Sequence, residues 1–151
     1  MRVEELMTAP VETVPPSVSA DEAWTRMRAG GIRHLVVVDR GRVAGVVSST
    51  DLGGRRGAMA RKDRTVGDLM TAPAVSVEPA ASVRRAANLM RGRTIGCLVV
   101  ADADRPVGIV TTADLLDLIG RGTERPVVAT RRWTLKHRAP HTKRHTSAGV
   151  W

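Results

Sequence analysis

The sequence predicts an α/β (α+β) fold of two β-α-β-β-α repeats packed as a pseudo-two-fold pair. Three observations carry that expectation. Positions 3–52 and 66–115 align without a gap at an offset of 63, and 22 of the 50 pairs are identical, which marks an internal duplication. Each copy holds an unbroken apolar run, Leu35-Val36-Val37-Val38 and Leu98-Val99-Val100-Ala101, that reads as a strand buried on both faces. Each copy then repeats a strand ending in a hydroxyl and followed by an early Asp, in Gly45-Val46-Val47-Ser48-Ser49-Thr50-Asp51-Leu52 and Gly108-Ile109-Val110-Thr111-Thr112-Ala113-Asp114-Leu115. A unit of ~50 residues buries too little surface to stand alone, so the copies are expected to pack against each other.

The elements follow in order. Val3 to Thr8 and Val66 to Thr71 read as short helical turns stopped by Pro10 and Pro73. Val11-Glu12-Thr13-Val14 and Ala74-Val75-Ser76-Val77 alternate like short strands. Ser19 with Glu22 forms a capping-box signature, and Ser82 is the matching cap. The first helix places Ala23, Trp24 and Met27 on one face, and the second Ala86, Leu89 and Met90. Gly30-Gly31 is the expected stop of the first helix, and Gly92 a less sharp stop of the second. The apolar runs then pair with Val43 to Val47 and Val107 to Val110 as hairpins, across turns at Asp39-Arg40-Gly41-Arg42 and Asp102-Ala103-Asp104-Arg105. Ser49 and Thr112 are natural N-caps for closing helices. The resulting division is a first repeat over 1–52, a basic glycine-containing linker over 53–64, a second repeat over 65–120 and a basic tail over 121–151.

Composition narrows the class. The chain has 151 residues with no Phe, no Tyr and three Trp, so the core is built from Val, Leu, Ile, Ala and Met. No apolar run approaches the ~20 residues that cross a bilayer. The start, Met1-Arg2-Val3-Glu4-Glu5, lacks the pattern of a signal peptide. The single Cys97 has no internal disulfide partner, so a reducing, cytoplasmic setting is expected. The net charge of +9 is unevenly placed: residues 1–120 hold 16 Lys/Arg against 14 Asp/Glu, whereas 121–151 hold 8 against 1. That charge therefore describes the tail and does not assign the body a nucleic-acid role.

No catalytic constellation is visible. Ser48 and Ser49 lack a nucleophile elbow, and the glycine-containing linker lacks the lysine of a phosphate loop. Cys97 reads as an inert core thiol. His137, His141 and His145 recur every four residues, but Pro140 interrupts any helix that would align them, so no metal site is expected.

The chemistry sits at the strand-to-helix turns. A carboxylate accepts both hydrogens of a cis-diol, and a helix N-terminus favours an anion. Ser48, Asp51, Thr111 and Asp114 are therefore candidate ligand contacts; the other reading is that such residues merely cap helices.

This duplicated pattern resembles the cystathionine-β-synthase (CBS) domain family, as a tandem pair or Bateman module. The resemblance rests on Leu6-Met7-Thr8 and Leu69-Met70-Thr71, on Leu35 to Asp39 and Leu98 to Asp102, and on Gly45-x-x-Ser48-x-x-Asp51 and Gly108-x-x-Thr111-x-x-Asp114, covering roughly residues 3–119. It implies a regulatory, non-enzymatic module that binds an adenosine-containing ligand such as AMP, ADP, ATP, S-adenosylmethionine or a dinucleotide between the repeats, with no required cofactor. In that reading Asp51 and Asp114 hold ribose hydroxyls, and Ser48 and Thr111 lie near phosphate. The basic pair Arg33-His34 reaches phosphate, favours the first site and lends charge to the neighbouring cleft, whereas Gly96-Cys97 stands at the equivalent place. Backbone near Val11 and Ala74 holds adenine, with apolar walls from Ile32 and Ile95. The resemblance further implies a homodimer and an effector protein that the sequence does not name.

The tail poses a separate question. Arg131-Arg132-Trp133 and Lys143-Arg144-His145 mix charge with an aromatic, a combination that can bind nucleic acid, but basic runs are common at termini and the favoured reading is a solvated, disordered extension.

Overall fold

The computed structural model describes residues 1–121. The expectations for the basic tail, its histidines and its nucleic-acid role fall on 122–151, outside the described residues. Residues 1–115 form one compact unit.

That unit contains two three-stranded sheets with the same topology. In the first, β1 (Thr13–Val14) runs parallel to β2 (His34–Asp39), and β2 runs antiparallel to β3 (Arg42–Ser48). In the second, β4 (Ser76–Val77), β5 (Cys97–Asp102) and β6 (Arg105–Thr111) repeat that arrangement. Parallel neighbours need a crossover, which α2 (Ala20–Gly30) and α5 (Val83–Arg93) supply. The hairpins turn through Arg40-Gly41 and Ala103-Asp104, all four with positive φ, the geometry that matches strand twist across a two-residue turn.

The period of two along each strand explains the unbroken apolar runs. Leu35, Val37 and Val47 point to one face and pack with Ala23 and Met27 of α2. Leu98, Val100 and Val110 do the same against Ala86 and Met90 of α5. The alternate residues, Val36, Val99, Ala101 and Ile109, form a third cluster between the two sheets. Each sheet thus has a helix on one face and the other repeat on the second, so Leu35 to Val37 and Leu98 to Ala101 are buried on both faces, while Asp39 and Asp102 at the strand ends are exposed.

The helix signals place the caps well. The Ser19 hydroxyl accepts from the Glu22 N–H and the Ser82 hydroxyl from the Arg85 N–H, each at 3.0 Å. Gly31 stops α2 with φ 64°. In α5 the stop lies beyond the expected Gly92: the helix continues to Arg93, and Thr94 takes the left-handed position at φ 54°. A lone glycine inside a packed helix weakens it without ending it.

Two packing features were not apparent in the repeat pattern. The leading segments are exchanged between the halves. The turn α1 (Val3–Leu6) buries Val3 in the second repeat's core, where the Val3 N–H donates to Ala81 O at 2.8 Å. Its counterpart α4 (Val66–Leu69) buries Val66 in the first repeat's core, donating to Val18 O at 2.8 Å. The segment over 53–64 also carries structure, a 3-10 turn (Gly54–Arg56) followed by α3 (Ala58–Arg61). Arg61 is buried, donating through one guanidinium nitrogen to Leu52 O and Gly54 O at 2.8 Å each, and its guanidinium lies 4.5 Å from the Trp24 ring centre.

Candidate ligand-binding clefts

The glycine-hydroxyl-aspartate strings sit where the packing requires them. Thr71 crosses β3 in an isolated bridge to Val46, and Thr8 crosses β6 in a bridge to Ile109. A Cβ on Gly45 would lie 2.6 Å from Thr71 O, and one on Gly108 would strike Met7 Sδ. Glycine is therefore needed at position 45 for a close approach of backbone, whereas at position 108 it makes room for the Met7 side chain.

Downstream, each hydroxyl and its Asp form a reciprocal cap. Asp51 Oδ2 accepts from the Ser48 N–H at 2.8 Å, and Ser48 Oγ accepts from the Asp51 N–H at 3.0 Å. Asp114 Oδ2 accepts from the Thr111 N–H at 2.8 Å and from the Thr111 hydroxyl at 3.2 Å, while the Asp114 N–H donates back to Thr111 Oγ1 at 3.3 Å. The capping residues are thus Ser48 and Thr111 rather than the expected Ser49 and Thr112. Those two are tied sideways instead, their N–H groups donating to Arg33 O and Gly96 O. In the second repeat the cap opens α6 (Thr112–Arg121). In the first, the chain after Ser48 forms turns where a helix was expected, and Gly53 and Gly54 take positive φ. Among the described residues, Oδ1 of each Asp carries none of the hydrogen bonds.

Two clefts lie beside these turns, and each is built across the repeats. The larger, about 560 Å³, joins Thr8, Val11, Ile32 and Arg33 of the first repeat to Ile109, Thr111 and Thr112 of the second. The smaller, about 180 Å³, joins Thr71, Ala74, Ile95 and Cys97 of the second repeat to Val46, Ser48 and Asp51 of the first. At the offset of 63 these are equivalent sets, with Val11 matching Ala74, Ile32 matching Ile95, Arg33 matching Gly96 and Ser48 matching Thr111. Nine of the ten sequence-predicted residues therefore line one cleft or the other; Asp114 does not, although Thr111 to Ala113 before it do.

The grouping differs from the sequence-based one. Arg33 lines the cleft of Thr111, not that of Ser48, because the face-to-face packing puts the start of β2 beside the end of β6. His34 lines both clefts. Burial is the main force lowering its pKa below the ordinary 6.5; Arg33 pushes the same way and Asp51 opposes. Its equivalent Cys97 is pushed up to about 12, first by burial and then by the Asp114 charge, so it remains a thiol. The larger cleft therefore carries a guanidinium, an imidazole and the Glu12 carboxylate, and the smaller a thiol, the shared imidazole and the Asp51 carboxylate. Thr8 and Thr71 escaped the sequence reading as site residues; their recurrence in both Met-Thr-Ala-Pro strings was the available signal. The described residues hold no cluster of His, Cys, Asp or Glu suited to a metal ion.

Two β-α-β-β units packed sheet to sheet, with clefts at paired strand ends, define a CBS-domain pair. The family model of the CBS domain matches residues 3–52 and 66–121, and the chain belongs to that family. The CBS domain-containing protein YhcV of Bacillus subtilis is 32% identical over 114 residues, 75% of this chain and 81% of that protein. The L-aspartate semialdehyde sulfurtransferase of Methanocaldococcus jannaschii is 31% identical over 120 residues, 78% of this chain but 23% of that protein. The CBS domain pair of protein MJ0100, solved in complex with 5'-methylthioadenosine and S-adenosyl-L-methionine, superposes with a TM-score of 0.72 at 29% identity, covering 80% of this chain and 96% of that one.

Proposed function

We propose that this chain is a regulatory module that binds an adenosine-containing ligand in the cleft of Thr111, Ile32 and Arg33, and that it performs no catalysis itself. The observation that carries the reading is that cleft: about 560 Å³ falls in the range of small-molecule sites, with apolar walls from Val11, Ile32 and Ile109 beside the polar side chains of Thr8, Glu12, Arg33, His34, Thr111 and Thr112. Thr111 and Arg33 suit a phosphate, Ile32 and Val11 suit an adenine, and Asp114 suits a ribose diol through its uncommitted Oδ1. The adenosine ligands of the MJ0100 pair support the ligand class. The smaller cleft, with Ser48, Asp51, Ala74 and Ile95, is the weaker site, since it holds less space and no arginine.

Ligand bound across the repeats favours whichever relative placement of Thr111 and Arg33 it bridges, and that bias is the signal passed to a partner. The expected assembly is a homodimer acting on an effector protein in the cytoplasm; no helix among the described residues is long and apolar enough to cross a membrane.

A thermal-shift panel of AMP, ADP, ATP, S-adenosylmethionine, NAD and cyclic dinucleotides tests the proposal. A ligand at a hundred times its Kd stabilises by about 2.7 kcal/mol, which raises Tm by roughly 5–10 °C for a domain of this size. No shift at millimolar concentrations of any of them overturns it. Asp114→Ala should weaken the shift, whereas deletion of 122–151 should leave it intact.

A further inference from the structure

A second groove, about 500 Å³, lies on the first repeat against the far side of the Gly31-Ile32-Arg33 wall that the larger cleft also uses. Its lining holds three arginines, Arg28, Arg33 and Arg55, together with Trp24 and Ser49, and no carboxylate. Among the described residues none of these arginines takes part in an ion pair. The groove is braced from behind: Arg61 is buried beneath Trp24, and Trp24 in turn carries the Arg28 guanidinium 5.8 Å from its ring centre. Like charges gathered round one hollow repel, so the arrangement is best satisfied by an anion. Guanidinium groups donate in a planar fork that fits phosphate oxygens two at a time.

The duplication supplies an internal control. At the equivalent positions Trp24 is replaced by Ala87 and Arg33 by Gly96, Arg28 is kept as Arg91, and Arg55 lies in the 53–64 segment beyond the aligned repeat. The arginine groove is therefore a property of the first repeat alone and not a by-product of the shared fold.

We propose that this groove is an anion site for a phosphate-bearing group. Because Arg33 lines both hollows, the favoured occupant is the terminal phosphates of a nucleotide whose adenosine sits in the larger cleft, which makes an adenosine polyphosphate the preferred ligand. That form of the inference rests on the proposed adenosine site; the other source of the same chemistry is a separate polyphosphate.

Calorimetric titration of the full chain with adenosine, AMP, ATP and inorganic tripolyphosphate tests it, on wild type and on Arg28→Ala/Arg55→Ala. Both side chains are exposed, so the variant should fold, which circular dichroism checks. The expected result is ATP binding about tenfold or more tighter than AMP in wild type, with the two converging in the variant and AMP unchanged. Tripolyphosphate that binds wild type and not the variant supports the groove as an independent anion site, and does so even if no adenosine compound binds, which would sink the proposed function alone. An ATP preference that survives in the variant overturns the inference. Equal ATP and AMP affinities with no variant-sensitive tripolyphosphate binding overturn it too, and leave the adenosine reading standing.

Discussion

Replacing Arg61 with methionine should cost about 3 kcal/mol of folding stability. Its guanidinium makes two 2.8 Å hydrogen bonds to Leu52 O and Gly54 O, and only 5% of its side chain is exposed. Bonds from a charged donor contribute about 1.5–3 kcal/mol each, and the carbonyls left behind regain part of that from water where Gly54 reaches the surface. The contact with Trp24 at 4.5 Å adds about 1 kcal/mol. The partner Asp21 is 65% exposed, so that ion pair contributes no more than a few tenths. Urea denaturation of wild type, Arg61→Met, Arg61→Lys and Asp21→Ala checks the ranking. Arg61→Met should lower Tm by roughly 10 °C, Arg61→Lys should fall between, since one ammonium does not reproduce the fork, and Asp21→Ala should sit near wild type. An Arg61→Met protein within 1 kcal/mol of wild type, or an Asp21→Ala protein as damaged as Arg61→Met, would refute the reasoning. The same variant loosens the turn that follows Asp51.

Other expectations follow from glycines and from His34. Gly45→Ala sets a Cβ 2.6 Å from Thr71 O and should cost about 2–3 kcal/mol in denaturation experiments. Gly92→Ala in α5 meets nothing within 4 Å and should stabilise by about 0.5–1 kcal/mol. Because His34 titrates below 6.5 in the fold, the unfolded chain binds more protons between the two values. Its contribution to stability is thus full above pH 6.5 and declines as pH falls toward the folded pKa. Nuclear magnetic resonance titration should place His34 below 6.5, and Asp51→Asn should lower it further by removing the opposing carboxylate.

Much of the fold was legible because local signals agreed. The Ser19 and Ser82 caps, the alternating sides of Leu35 to Val38 and the two hairpins follow from residue type and period alone. The exchange of Val3 and Val66 between cores was not legible, because the two segments are near-identical and a repeat cannot say which copy it packs on. For the same reason Arg33 was grouped with Ser48: sequence proximity implies one repeat, whereas the clefts are assembled across two. Arg61 looked like one cation among five in a basic stretch, and only the neighbouring Leu52 and Gly54 carbonyls and the Trp24 ring give it a buried role. The reciprocal hydroxyl–carboxylate pairs beside the candidate clefts, by contrast, were readable from the duplication, since hydroxyl and carboxylate recur at the same spacing.

The central claim, a ligand site shared between repeats, is tested most directly by a double-mutant cycle on adenosine-ligand affinity. Arg33→Ala is combined with Thr111→Val in one cycle and with Ser48→Ala in another, each read by calorimetry with ATP. The account predicts an interaction energy above about 0.5 kcal/mol between Arg33 and Thr111, with additive effects for Arg33 and Ser48. Coupling of Arg33 to Ser48 with additivity toward Thr111 would contradict it.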